Sequence, residues 1–458
     1  MCTQNNFTQL KLPSSMIQTL QTLGYSSMTP IQEKSLPYIL DGKDIIAKAK
    51  TGSGKTAAFG IGVLNKLNIK KFRIQSMILC PTRELAAQVA QELRKIARFE
   101  HNIKILTLSG GVPYHPQVHS LSHQAHIIVG TPGRILKHLN EYNFDPKDIT
   151  SLVLDEADRM LDMGFSEDIQ KIISYLPQKR QTLLFSATYP LNIAHLSDDI
   201  LTNPQVVEVE STHQKSIIKQ EFYKIPDHQK LKSLEKILGN TQANSTVIFC
   251  NTKIACDTLA DDLWDAGIST LVLHSDLDQK ERNETIIMFA NKSYPILIAT
   301  DVAARGLDIK DIDLVINYDL PYDNEVYIHR IGRTARAGAT GQAISLITQE
   351  EQFEDLKEYL DEDEFIQKDI DQLEERKFNI KSTYSTLFIN GGKKSKVRAG
   401  DILGALTAGI GLDKDDIGKI DILDLCSFVA VKKEFEQKAL DGLSNGKIKG
   451  RYFKVYLK

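Results

Sequence analysis

The stretch "DIIAKAKTGSGKTAAFGIGVLNKL", residues 44–67, decides the fold. A short run rich in isoleucine passes into a turn holding Gly52 and Gly54, and then into apolar residues at helical spacing. Strand, glycine turn and helix in that order open a parallel α/β unit. The turn also has a chemistry: glycines let the backbone curl so that its N–H groups and the helix N-terminus cradle phosphate oxygens. Lys55 then reaches the β/γ-phosphates of a nucleotide, and the Thr56 hydroxyl is placed to ligate Mg²⁺. Ala49 takes the position of the first glycine in the general phosphate-loop pattern, and Lys50, Thr51, Gly52, Ser53 and Gly54 complete the loop.

Outward from this loop the alternation continues. "SMILC", "AHIIVG", "SLVLDEAD" and "TLLFSAT" each rise through Ile, Val and Leu and break at a polar or small residue, as buried parallel strands do. A second series follows "STHQKS": "STVIFCNT", "STLVLHSD", "PILIATD", "DLVINYD" and "GQAISLIT". Two tandem parallel-sheet domains are expected, over residues 1–207 and 216–365. The acidic segment "EEQFEDLKEYLDEDEFIQKDIDQLEERK" reads as solvated and helical, leading through a connector at 366–383. The remainder, 384–458, reads β-α-β-β-α-β, a small α+β unit.

A chain of 458 residues, 42% hydrophobic and 25% charged, has the composition of a globular protein of two or three domains. The start "MCTQNNFTQLKL" shows no basic region followed by an apolar core, and no run of about 18 apolar residues occurs, so neither a secretory signal nor a membrane span is expected. Cys2, Cys80, Cys250, Cys256 and Cys426 lack paired CxxC spacing and read as reduced thiols of a cytoplasmic protein. The net charge of −3 is unevenly spread. Residues 384–458 hold 14 Lys/Arg and 9 Asp/Glu, a surplus of five, which leaves −8 on the rest. A basic tail on an acidic body points to a nucleic-acid or acidic partner; a lysine-rich solubilising surface is the alternative on charge alone.

The polar motifs fall just beyond the C-terminal ends of the expected strands, the edge where open α/β sheets bind ligands. "LVLDEAD" ends a strand with Asp155 beside Glu156. One acid can hold Mg²⁺ through water, while its neighbour orients and deprotonates an attacking water. In the second domain "HRIGRTARAG", 329–338, spaces Arg330, Arg333 and Arg336 three residues apart. Guanidinium groups gathered on one side repel one another and call for an anion.

These motifs carry a resemblance. "DEAD" at 155–158, with "PTRELA" at 81–86, "GG" at 110–111, "TPGR" at 131–134, "SAT" at 186–188, "ATDVAARGLD" at 299–308 and "HRIGRTARAG", resembles the DEAD-box RNA helicases in that family's order. The resemblance implies two RecA-like domains, ATP and Mg²⁺ as cofactors, and RNA as partner. Gln32 in "GYSSMTPIQ" matches the family's adenine-reading glutamine, and Phe7 the aromatic that stacks on the base; Tyr25 replaces the usual Phe. Asp308 matches the ribose contact, and Ser186 and Thr188 the motif that couples hydrolysis to strand separation. Arg333 and Arg336 match arginine fingers that reach the γ-phosphate, with Ala335 in place of a glycine, while Arg330 is expected to bridge or structure the cleft. Pro81, Thr82, Arg83, Gly110, Gly111, Thr131 and Arg134, with Arg282, Thr300 and Arg305 of the second domain, match RNA-backbone contacts. Such groups suit phosphates and 2′-hydroxyls, so this core is expected to read shape without sequence.

Sequence choice is then left to the tail, which resembles an RNA-recognition motif. Phe428 in "CSFVAV" holds one base-stacking position, but Cys426 replaces its usual aromatic partner and Asp424 the usual basic residue, which weakens stacking. Lys393, Lys394, Lys396 and Arg398 offer electrostatic compensation; a fold used only for protein contacts is the alternative. The whole arrangement is similar to the bacterial DEAD-box protein A subfamily. That implies a monomeric helicase, without membrane or DNA partners, docking on a hairpin of large-subunit ribosomal RNA and remodelling pre-50S particles. An ATP-gated RNA clamp is the rival reading; Glu156 and both finger arginines favour the enzyme.

Overall fold

Strands buried on both faces need near-continuous apolar runs, and the central strands of the first sheet contain them. The computed structural model describes residues 6–49, 53–188, 191–209, 218–301, 312–334, 341–348, 353–354, 356, 360 and 365–458. The chain divides into two units, Met1–Gln214 and Lys215–Lys458. In the first, β1 (Ile45–Lys48), β2 (Ser76–Leu79), β3 (Ile105–Leu108), β4 (Ile127–Gly130), β5 (Ser151–Asp155), β6 (Gln181–Ser186) and β7 (Gln205–Glu208) run parallel in the order β3-β4-β2-β5-β6-β1-β7. Alternate residues face two cores. Ile45, Ala47, Val153 and Phe185 enter one, and Ile46, Leu152, Leu154 and Leu184 the other. The edge strands β3 and β7 are only partly buried, which is why no continuous apolar run marks them.

The second unit holds two sheets. β8 (Ile218–Lys224), β9 (Thr246–Phe249), β10 (Thr270–Leu273), β11 (Ile296–Ala299), β12 (Leu314–Asn317), β13 (Gly341–Ile347) and β14 (Phe365–Lys368) are all parallel, in the order β10-β11-β9-β12-β13-β8-β14. Both parallel sheets have the RecA-like arrangement. The acidic segment departs from the expectation of a solvated helix. Phe353, Leu356 and Leu360 are buried against Phe222, Tyr327 and Ile331, and β14 adds a strand beside β8. Its described apolar residues recur at i, i+3 and i+7, so one face docks, while Glu354 between them is exposed.

The second sheet of this unit is antiparallel: β15 (Tyr384–Ile389), β16 (Ile417–Ile422), β17 (Ser427–Lys432) and β18 (Val455–Leu457), in the order β16-β17-β15-β18. The helices Ala399–Gly404 and Glu436–Asn445 pack on one face of it, where Leu387, Ile389, Val429 and Val431 meet Ile402, Ala439 and Leu443. The α+β order read from the sequence is the order observed.

Candidate nucleotide and RNA-binding site

The motifs of the first unit meet at the C-terminal edge of its sheet. β1 leads through the phosphate loop to the helix Lys55–Asn65, β5 ends at Asp155, and β6 ends at Ser186. Gly54 caps the helix with φ +95°, and a Cβ there would stand 2.6 Å from Gln32 Nε2, so only glycine fits. Lys50, Thr51 and Gly52 lie outside the described residues. Lys55 Nζ, Ser53 Oγ and Asp155 Oδ1 are buried without a hydrogen-bond partner. Buried polar atoms are seldom left so. A cation and a hydroxyl at a helix N-terminus, with a carboxylate facing them, fit a triphosphate and the single-carboxylate shell that Mg²⁺ accepts. Burial pushes the Asp155 carboxyl up to about 7; the Lys55 charge opposes that shift and the Glu156 charge adds to it.

Glu156 follows with φ +53°, an uncommon conformation for a side-chain-bearing residue. Arg159 NH1 donates to Glu156 Oε2 at 2.8 Å, and both groups are buried. Asp158 bridges to the "SAT" turn: its Oδ2 accepts from Ala187 N and Thr188 N, each at 2.9 Å, and from Thr188 Oγ1 at 3.1 Å. The Asp158 amide donates to Ser186 Oγ at 3.3 Å. Burial works against its ionised form, but the Thr188 N–H and the Lys55 charge hold the carboxyl below its ordinary value. Sequence reading assigned no role to Asp158 or Arg159; two further polar residues in a buried strand-end turn were the available signal.

Gln32 is engaged at both ends, Oε1 accepting from Thr29 N at 3.0 Å and Nε2 donating to Gly54 O at 3.1 Å. These two bonds leave one N–H and one lone pair of the buried amide unused. Phe7 departs from its expected place. It is 1% exposed, packed in the core edge-to-face with Tyr25, and shows no free ring face for stacking. As a large apolar side chain on an N-terminal turn, it anchors that segment instead.

Pro81, Thr82 and Arg83 follow β2, Gly110 and Gly111 follow β3, and Thr131 and Arg134 follow β4, so these residues share the sheet edge. Thr82 Oγ1 caps the helix Arg83–Ile96 by accepting from Leu85 N. Arg134 NH1 donates to Val112 O at 3.2 Å, tying the "TPGR" helix to the "GG" loop. In the second unit Arg282 lies on the helix Gln279–Ala290, and Thr300 directly follows β11. Arg330 is structural. It grips Asp301 with two bonds at 2.6 and 2.7 Å, and also bonds Asn317, Asn251 and the Asp319 carbonyl. Arg333 Nε donates to His329 O, and its side chain is largely buried. Arg305, Asp308 and Arg336 fall outside the described residues.

At the tail, Lys393 and Lys394 occupy a tight turn, Lys396 has φ +59°, and Arg398 caps the helix Ala399–Gly404. Residues 446–454 lie alongside: Lys449 Nζ donates to Lys396 O at 2.7 Å, and Asn390 N to Lys454 O at 2.9 Å. Lys447 sits over the ring of Tyr452, which is exposed. Two basic loops thus form one lobe, of which sequence reading found only the first; the basic residues of "GKIKGRYFKVYL" were the missed signal. Phe428 is not displayed for stacking, being 1% exposed on its sheet.

Comparison with known proteins agrees with this geometry. Residues 29–196 match the DEAD/DEAH box helicase family, 229–338 the helicase conserved C-terminal domain, and 386–457 the DbpA RNA binding domain. The ATP-dependent RNA helicase DbpA of Escherichia coli is 48% identical over 97% of this chain and 98% of its own length. The Bacillus subtilis protein of that name is 37% identical, over 98% and 99%. Among solved structures, S. cerevisiae Dbp5 bound to RNA and ADP BeF3 superposes with a TM-score of 0.73 at 30% identity, over 80% of this chain and 96% of that one. A loop-bearing helix with an unpaired lysine, an acid pair beyond β5, and relatives alike from end to end converge on one conclusion: the chain belongs to the DEAD-box ATP-dependent RNA helicases, in the DbpA-like group that carries a C-terminal RNA-binding domain.

Proposed function

We propose that this helicase acts on precursors of the large ribosomal subunit and is addressed to them by its C-terminal domain, which grips a hairpin of ribosomal RNA. The observation that carries the reading is the lobe built by residues 391–398 and 446–454, a dense positive surface on a domain of the DbpA RNA-binding type. Phosphate contacts of this kind supply affinity and fix register on the RNA. Pro81, Thr82, Arg83, Gly110, Gly111, Thr131, Arg134, Arg282, Thr300 and Arg305 hold the backbone of any strand, so they add no preference for one RNA.

For the chemistry, Lys55 and the loop amides bind the triphosphate, Gln32 reads adenine, and Asp308 holds the ribose. Thr56 and Asp155 would hold Mg²⁺, which neutralises charge on the phosphate oxygens when bound. Glu156 takes the proton of the attacking water, oriented by Arg159. Arg333 and Arg336 add positive charge where the transferred phosphoryl develops negative charge, a contribution of about 10³–10⁵ in rate. Ser186, Thr188 and Asp158 pass the event to the RNA contacts. A pure RNA clamp would not need the Glu156–Arg159 pair, which favours turnover. The protein is expected to act as a cytoplasmic monomer. The test is ATPase rate with total ribosomal RNA against unrelated RNA of equal length. Stronger stimulation by ribosomal RNA is expected, and equal stimulation would remove the ribosomal address.

A further inference from the structure

The C-terminal sheet has two faces, and its own helices cover one. On the other lie Thr386 and Phe388 of β15, Phe428 and Ala430 of β17 and Tyr456 of β18, paired in register across the strands. An RNA-recognition fold stacks bases on this face. Here Thr386, Phe428 and Ala430 are buried. The body carrying β8–β14 supplies the partners. Asn291 Nδ2 donates to Thr386 Oγ1 at 2.8 Å, and Ser293 Oγ lies 2.7 Å from the same hydroxyl. Lys458 Nζ, just past β18, donates to Glu284 Oε2 at 2.7 Å, and the Cys426 thiol is raised by burial and by the nearby Glu284 charge.

This contact is specific for a physical reason. Asn291, Ser293 and Thr386 are all buried, so a sliding of one surface on the other would strand three polar groups at once. All three second-body residues sit on or just after the helix Gln279–Ala290, which also carries Arg282. Arg282 is two positions from Glu284 and so points to a different side of that helix. The basic lobe leaves the sheet at its far end, beyond the paired residues Ile389 and Val455.

We propose that this face of the C-terminal sheet is a coupling surface rather than an RNA platform: it holds the basic lobe at a fixed place relative to Arg282, so that RNA gripped by the lobe is presented to the helicase core. The proposal rests on the RNA reading of Arg282 and of the lobe given above. It assigns Asn291, Ser293 and Thr386 as positioning residues, with no contact to RNA of their own.

Two variants of the full chain test it. Thr386→Val keeps the shape and removes the shared hydroxyl. It should leave the affinity for large-subunit ribosomal RNA and the ATPase rate with a homopolymer RNA within about twofold, while the extra stimulation by ribosomal RNA over homopolymer falls at least severalfold. Unchanged extra stimulation, or tighter ribosomal RNA binding as the face is freed, would overturn the coupling. The second variant, Ser293→Cys with Thr386→Cys on a Cys426→Ser background, places two thiols within disulfide reach. Oxidation should preserve both ribosomal RNA binding and homopolymer-stimulated ATPase, because the closed seam is the working state. Loss of either on oxidation, restored by reductant, would show that the face must open. The homopolymer arm reads the seam even if the chain shows no preference for ribosomal RNA, an outcome that would remove the ribosomal address alone.

Discussion

Glu156 shows how one residue concentrates the chemistry. Its left-handed backbone costs a side-chain-bearing residue on the order of 1–2 kcal/mol, and the buried bond to Arg159 holds it there. Glu156→Gln preserves shape and hydrogen bonding but removes the base. ATP and RNA binding should survive while single-turnover hydrolysis drops by about 10²–10⁴; hydrolysis near the parent rate would eliminate Glu156 as the proton acceptor. Asp158 makes a separable prediction. Its Oδ2 accepts three bonds from the "SAT" turn and its Oδ1 accepts the Arg159 N–H, so an amide in either orientation sets its NH2 against a backbone donor. Asp158→Asn should therefore lower duplex unwinding more than ATP turnover. Equal losses in both assays would place Asp158 in hydrolysis itself.

At the scale of elements, the loop after β3 and the helix after β4 act as one piece. Gly130 permits it, since a Cβ there would stand 2.0 Å from the Leu108 carbonyl. The Tyr114 ring stacks on His138 at 4.5 Å, His138 Nε2 bonds Gln117 Oε1 at 3.0 Å, and Gln117 Nε2 donates to Ser109 O at 3.0 Å. Burial lowers His138 to about 4, helped by the Arg134 and Lys137 charges and opposed by Glu141. A base with a depressed folded pKa binds fewer protons folded than unfolded. Its stabilising effect is complete above about pH 6.5 and is lost as pH falls toward 4. Lowering pH from 7 to 5 should thus cost this region about 2 kcal/mol, seen as faster hydrogen exchange over residues 109–140. His138→Gln should abolish that pH response, and an undiminished response would assign it to another group.

Over the whole molecule, the lobe and the core are expected to separate recognition from turnover. Reversing Lys447, Lys449 and Arg451 to Glu should weaken ribosomal RNA binding and flatten its log–log salt dependence by about 2–3. ATPase with saturating homopolymer should stay near the parent value. A selective loss of homopolymer turnover would place these residues in the core path instead. Ending the chain near Lys381 should also abolish the ribosomal preference while leaving a weaker, unselective ATPase. It has a second consequence, because it bares Asn291, Ser293 and Glu284. The second body should then unfold at lower temperature than in the full chain, as measured by calorimetry.

Much of this was legible in one dimension. Apolar runs broken at "AKTGSGKT", "LDEAD" and "SAT" marked buried parallel strands and put the ATP residues at their ends, because strand, turn and helix are local patterns and the C-terminal edge follows from them. Arg330 was expected to bridge or structure the cleft, and the fold ties it to Asp301, Asn317, Asn251 and the Asp319 carbonyl. What the pattern could not say was which surface covers which. Phe7 and Phe428 have the composition of stacking residues, yet the fold buries both. The acidic segment reads as solvated until Phe353, Leu356 and Leu360 meet a core that joins Phe222 of β8 to Tyr327 and Ile331. The sequence by itself determined the central strands, their order and the residue types at their ends, since these depend on near neighbours. Only the tertiary structure decided the burial of Phe428 and the Thr386 seam, since a side chain's burial depends on surfaces brought together from distant parts of the chain.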